Sequence, residues 1–304
     1  MVYLHNDKEK FKEIIDYISG KTGIVTQIIE KDYYVTMILR LLAEQVPYAV
    51  FKGGTSLSKC YKIINRFSED IDIAIDTTLS QGQKKRVKQI IVNSADELGM
   101  KIINLDKIRS RRDFNRYVIA YDSVALGQKD DLINAVLLET TYAILSFPTA
   151  ILPVHNYISD TLELEEPDEI ERYCLNSFNM KVQGIDRTLV DKVFALCDYY
   201  LTGNITRHSR HIYDIYKLLP LIKQDADLEK LIKEVRIVRA QSIICPSAKP
   251  EVNVSELLNK IIKEESYKQD YDNLTRQLLQ EKVPYETAIA TLKQIAESNL
   301  FIQK

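Results

Sequence analysis

The chain is sparing with glycine and cysteine, lacks any long unbroken apolar run, and carries no excess of positive charge. Each shortage removes a class of protein. The four cysteines, Cys60, Cys174, Cys197 and Cys245, are far apart and form no CxxC or Cys/His cluster, so neither a disulfide frame nor a zinc site is indicated. No HxxxH or HExxH spacing offers zinc ligands either. A formal charge of −2 excludes a globally basic nucleic-acid binder while leaving room for a local basic patch. The most apolar stretch, INAVLLETTYAILSFPTAILPVH, is interrupted by Glu139, Pro148 and Pro153, which rules it out as a membrane span. The amino-terminal MVYLHNDKEKFKEIIDYIS becomes charged within a few residues and has no signal-peptide core. The expectation is a soluble cytoplasmic protein. No repeat, low-complexity tract or GxxxxGK[ST] phosphate loop is present.

What is present is organised in two parts. Residues 7–46 read as helical, with Phe11, Ile14, Ile15 and Ile18, and then Val35, Ile38, Leu39 and Leu42, at helical spacing. A strand is expected at Tyr48–Phe51, a helix from Ser56 to about Ile64, and a strand over residues 70–76. QGQKKRVKQIIVNSADELG predicts a helix that stops at Gly99, followed by strands near Lys101–Leu105, Asn115–Tyr121 and Ile133–Tyr142. Residues 143–184 are mixed, with prolines and the acidic loop LELEEPDEIE. From Ile185 onward each segment carries a 3.6-residue apolar stripe. The expected architecture is an α/β (α+β) domain over 1–184 with a small mixed sheet, then a helical domain over 185–304.

The most informative stretch is FKGGTSLSKCYKIINRFSEDIDIAID, residues 51–76. Asp70 and Asp72 alternate with Ile71, Ile73 and Ile75, so a strand here packs isoleucines on one face and carboxylates on the other. The two aspartate Cα atoms would lie roughly 6.6 Å apart. Carboxylates so close repel one another, and an oxygen-preferring divalent cation, above all Mg²⁺, offsets that repulsion most simply. Gly53 and Gly54, between a strand and a helix, let backbone N–H groups approach an anion, with Thr55, Ser56 and Ser58 adding hydroxyls. A phosphate cradle ahead of a carboxylate pair suits a nucleoside triphosphate and its metal. A solvated edge strand after a tight turn is the plainer alternative.

KGGTSLSK and RFSEDIDI resemble the signature of the AbiEii/AbiGii-type nucleotidyltransferases, toxins of type IV toxin–antitoxin and phage-defence systems within the DNA polymerase β-like superfamily. The upstream IEKDYYVTMIL and the later TLVDKVFAL and RHIYDIYKL are similar to further blocks of that family, in the same order, spanning residues 29–219. The resemblance implies a polymerase β-like fold and transfer of NMP from an NTP to an RNA acceptor, the tRNA 3′ end first, with Mg²⁺ and a cognate antitoxin. It implies that Gly53, Gly54, Thr55 and Ser56 cradle the triphosphate, that Asp70 and Asp72 bind metal, and that Lys192 and Asp214 join the catalytic set. Transfer to a protein or small molecule, or a catalytically inactive nucleotide- or partner-binding module, are the alternatives.

Other residues stay divided between two readings. Glu139, an acid among apolar residues, is either the third metal ligand or part of a solvated strand face. Lys192 sits at the margin of the stripe Leu189, Val193, Leu196 and Tyr200, half-buried and aimed at the triphosphate or simply exposed. Asp214 points away from Ile212, Ile215, Tyr216 and Leu219, so pairing with Arg210 or Lys217 on the surface competes with a catalytic role. Arg66 and Glu69 flank the aspartates and orient them rather than catalyse. Arg109, Arg111, Arg112 and Arg116, around Phe114 and Tyr117, form either a phosphate-and-stacking surface for RNA or a solvated face. The same holds for Arg207, His208, Arg210 and His211, and for the run Lys84, Lys85, Arg86 and Lys88.

Overall fold

The computed structural model describes residues 2–68, 70–125, 134–298 and 300–301. Glu69 and Ile133, both part of the expectations above, lie outside the described residues. The chain divides into two compact units, Met1–Tyr61 with Ser68–Val182 and Lys62–Phe67 with Gln183–Lys304. It therefore leaves the first unit at Tyr61 and returns to it at Ser68.

In the first unit, α1 (Lys8–Thr22) opens on Asp7, whose carboxylate accepts from the Lys10 N–H at 3.1 Å, and stops where Gly23 adopts φ +73°. The next helix, α2 (Thr26–Gln45), is buried along almost its whole circumference. Its polar residues are correspondingly paired: Lys59 Nζ lies 2.6 Å from Asp32 and 2.7 Å from Thr36 Oγ1. Then follow β1 (Ala49–Lys52), α3 (Gly53–Lys59), β2 (Asp70–Ile75) and α4 (Gln81–Glu97), the last opened by a capping box of Ser80 and Gln83. The remaining elements are β3 (Lys101–Ile102), β4 (Phe114–Ala120), β5 (Ala135–Thr141), β6 (Thr149–Val154), α5 (Tyr157–Leu162), α6 (Pro167–Arg172) and β7 (Phe178–Gln183).

Among the described residues the strands form one mixed seven-stranded sheet in the order β3-β4-β5-β2-β1-β7-β6. β2 lies antiparallel to β1 and parallel to β5, and β5 is antiparallel to β4. Ile71, Ile73 and Ile75 join Val136, Leu138, Tyr117 and Ile119 in a continuous core with Ile38, Leu41 and Leu42 of α2. That apolar face fixes the register, because a one-residue slip of β2 would bury both aspartates.

The described residues of the second unit are mainly helical, with Lys62–Phe67 an exception. It contains α7 (Ile185–Leu201), α8 (Arg210–Leu218), α9 (Ala226–Ala240), α10 (Val254–Lys263) and a final helix Tyr285–Glu297 that packs on α8 and α10. Asp198 organises the join of α7 and α9, accepting from Arg239 at 2.7 Å and from the Ser247 amide and hydroxyl at 2.8 and 2.7 Å.

Several boundaries differ from the sequence expectation for physical reasons. α3 begins at Gly53 rather than Ser56 and ends at Lys59 rather than near Ile64, and Lys62 turns the chain with φ +54°. The strand expected at Lys101–Leu105 stops at Ile102, since Leu105–Lys107 is a short 3₁₀ turn. The sheet is larger than expected because the mixed stretch 143–184 supplies β6 and β7. Among the described residues, no helix is long and apolar enough to cross a membrane.

Candidate active site

The β1–α3 turn sits directly under β2. Gly53 adopts φ +79°, and a Cβ built on it would stand 2.0 Å from Asp72 Oδ2. Glycine is required twice here, for the left-handed backbone and for the space that Asp72 occupies. Asp70 and Asp72 are half-buried, while Ile71 and Ile73 between and beside them are buried, as strand alternation demands. Thr55 and Ser56 are fully buried, and their hydroxyls donate to backbone carbonyls: Thr55 to Asp70 O at 2.5 Å, Ser56 to Gly53 O at 2.9 Å. These two side chains tie the turn to the strand. What the turn offers a ligand is chiefly backbone.

Strand register sets a row of charges across the sheet. Lys52 on β1 is the partner of Asp72, Asp72 is the partner of Glu139 on β5, and Glu139 is the partner of Arg116 on β4. Partners in register share a face, so two acids lie side by side with a cation on each outer flank. Arg116 closes on Glu139 Oε1 through Nε at 2.6 Å and a terminal nitrogen at 2.5 Å. Partial burial works against the Arg116 charge, but Glu139, and beyond it Asp70 and Asp72, more than offset this and raise its pKa. Three carboxylates thus act on one guanidinium.

In the second unit, Lys192 and Asp214 are not the surface pair that periodicity allows. Asp214 has no exposed side-chain area and is held by Arg66, with Nε at 2.6 Å and a second nitrogen at 2.7 Å. Lys192 Nζ adds a third contact at 2.5 Å and is itself buried. Burial works to raise the Asp214 carboxyl, but the charges and hydrogen bonds of Arg66 and Lys192 overcome it and hold the group far below the usual carboxylate range. Burial likewise lowers the Lys192 ammonium, against the pull of Asp214. Arg66 is fixed through its backbone neighbours too: Asn65 N–H donates to Tyr213 Oη at 3.0 Å, and Phe67 N–H to Leu278 O at 2.9 Å. Of the two cations expected beside Asp214, Lys217 instead pairs with Glu281 at 3.0 Å.

Residues 39–294 match the family described as the nucleotidyl transferase AbiEii toxin of type IV toxin–antitoxin systems. The chain belongs to the AbiEii nucleotidyltransferase toxin family. Among solved structures, it is similar to MenT4, a nucleotidyltransferase toxin from Mycobacterium tuberculosis H37Rv, with a TM-score of 0.53 at 13% identity. That similarity covers 96% of this chain and 90% of MenT4, and it concerns the fold. No curated protein matches the sequence.

Nucleotidyltransferases generally use divalent metal, and the AbiEii fold here provides a fitting donor set. Asp70 and Asp72 are hard oxygen donors on one face of a strand, with the space over Gly53 kept open to the Asp72 carboxylate. Mg²⁺ typically takes one or two carboxylates and completes its shell with water and substrate phosphate, which this pair allows. Among the described residues no three acids, histidines or cysteines are gathered closely enough to hold an ion unaided. Glu139 in particular faces Arg116.

Arg109, Arg111, Arg112 and Arg116 are all exposed with Phe114, whereas Tyr117 is buried in the core and gives no stacking face. Arg116 turns toward Glu139. The Arg66–Asp214 pair was missed as an interaction because its members are 148 residues apart in the chain. Only the arginine's place just ahead of the aspartates hinted at a role. The basic residue Lys84 is taken up by Asp113 at 2.6 Å.

Proposed function

We propose that this AbiEii-family toxin transfers a nucleoside monophosphate from an NTP to a hydroxyl of RNA, the tRNA 3′ end first, under the control of a cognate antitoxin. In the reaction the acceptor oxygen bonds to the α-phosphorus and loses its proton, the α–β phosphoanhydride breaks, and pyrophosphate leaves. Asp70 and Asp72 would hold Mg²⁺, which supplies Lewis-acid stabilisation of the phosphate charge. The backbone at Gly53 and Gly54 receives phosphate oxygens, and Arg109, Arg111 and Arg112 contribute an exposed cationic surface to RNA. Lys192 and Asp214 enter the proposal as the buried charge pair of the second unit, with Arg66 held by Asp214.

The observation that carries this reading is Asp72 lying on bare Gly53 with Asp70 beside it, in a chain of a nucleotidyltransferase family. The test is incubation of the protein with each labelled NTP, Mg²⁺ and total RNA. Label in RNA of tRNA size, removable by a 3′ exonuclease and absent with Asp70→Ala, is expected. Label confined to protein or small-molecule fractions, or no transfer with any of the four nucleotides, would overturn it.

A further inference from the structure

Arg116 has no part in the reaction so far, yet it is in direct contact with Glu139 in the carboxylate row. Its side chain is 58% exposed, and Glu139, its partner, is 21% exposed. An ion pair so open to water is worth only about 0–1 kcal/mol, so a stronger anion can displace it at little cost. The guanidinium presents several donors in a planar fork that matches phosphate oxygens, and it keeps its charge at any working pH.

The charge pattern indicates when such an exchange would occur. Asp70, Asp72 and Glu139 share a face with the flanking cations Arg116 and Lys52, so three acids keep a single net negative charge before any ligand arrives. A site so offset attracts a bare divalent ion less than the three acids alone would. An ion carried in with a polyphosphate is different, because the added positive charge loosens Arg116 from the acids while the phosphates offer it a better partner.

We propose that Arg116 is a triphosphate-binding residue, parked on Glu139 in the free protein and transferred to the phosphates when metal and nucleotide enter together. Arg116 is thereby removed from the RNA surface assigned to its neighbours in sequence. The inference rests on the nucleotidyltransferase reading of Asp70 and Asp72.

The test compares the full-length wild type with Arg116→Ala and Arg116→Lys. Three affinities are measured: Mn²⁺ alone, a non-hydrolysable NTP analogue with Mg²⁺, and the corresponding nucleoside. Arg116→Ala is expected to weaken the triphosphate analogue by about tenfold, the loss of one charge-assisted phosphate contact, and to leave the nucleoside unchanged. The same variant should bind Mn²⁺ alone more tightly, because a neighbouring positive charge has gone. Arg116→Lys should recover part of the triphosphate affinity. A purely structural role would not move metal and triphosphate in opposite directions. If the wild type binds the analogue and Arg116→Ala binds it equally well, the inference is wrong and the nucleotidyltransferase reading stands. If the wild type itself binds no triphosphate, both fall.

Discussion

Replacing Asp214 with alanine should be among the most destabilising single changes in the second unit. The carboxylate accepts three charge-assisted bonds of 2.5–2.7 Å with no solvent exposure. Its removal takes away the carboxylate that the buried Arg66 and Lys192 share, which costs about 3–5 kcal/mol. The two cations do not share that cost equally. Lys192 can shed its proton, since burial already depresses its pKa, whereas the guanidinium stays charged. Most of the loss therefore belongs to Arg66. In an Arg66→Met background, Asp214→Ala should cost less than half as much, a coupling of about 2 kcal/mol. Asp214→Asn, which keeps some hydrogen bonding without the charge, should fall between the two. Urea unfolding followed by circular dichroism, with the second unit's transition fitted separately, gives all three numbers. A loss below about 1 kcal/mol, the value of an exposed ion pair, would refute the argument. So would strict additivity of the Arg66 and Asp214 changes.

Further changes test the first unit and the histidines. Gly53→Ala should cost about 1–2 kcal/mol for the left-handed backbone alone and more for displacing Asp72, so transfer activity should fall with stability in paired melting and label-incorporation assays. Asp70→Asn should do the opposite, abolishing transfer by about a hundredfold or more while leaving the urea midpoint equal or higher, because a like-charge repulsion is relieved. Burial pushes His5 and His208 down to about 4, and burial with the charges of Lys192 and Arg210 holds His211 well below its ordinary value. The unfolded chain therefore takes up protons first, and stability should decline as pH drops from about 6.5 toward 4. Thermal melts at pH 7 and pH 5 should show it, and His211→Asn should flatten the difference.

Local chemistry was readable from the sequence wherever neighbouring residues decide the outcome. The alternation of Asp70 and Asp72 with isoleucines fixed a strand and its two faces, and the glycine pair marked the turn beneath it. What periodicity could not supply was the partner. On α8, Ile212, Tyr213, Asp214 and Ile215 are all buried, so the helix is covered on more than its apolar stripe and the angle of Asp214 said nothing about exposure. Glu139 looked equally suited to metal or to water because its actual neighbour, Arg116, is set by the register of β4 on β5. The hydroxyls of Thr55 and Ser56 are composition-level signals for phosphate binding, yet both are spent on backbone carbonyls. β6 and β7 were unreadable because prolines and an acidic loop surround them.

The excursion of Lys62–Phe67 into the second unit bears on how the protein is made. Arg66 emerges from the ribosome 148 residues ahead of Asp214, a wait of roughly 7 to 30 s at ordinary rates of synthesis. Throughout that interval the nascent chain holds the residues just before Asp70 without the helices that will clasp them. No single cleavage of the gene separates the units cleanly, because a fragment ending at Val182 keeps the arginine and one starting at Gln183 keeps its carboxylate.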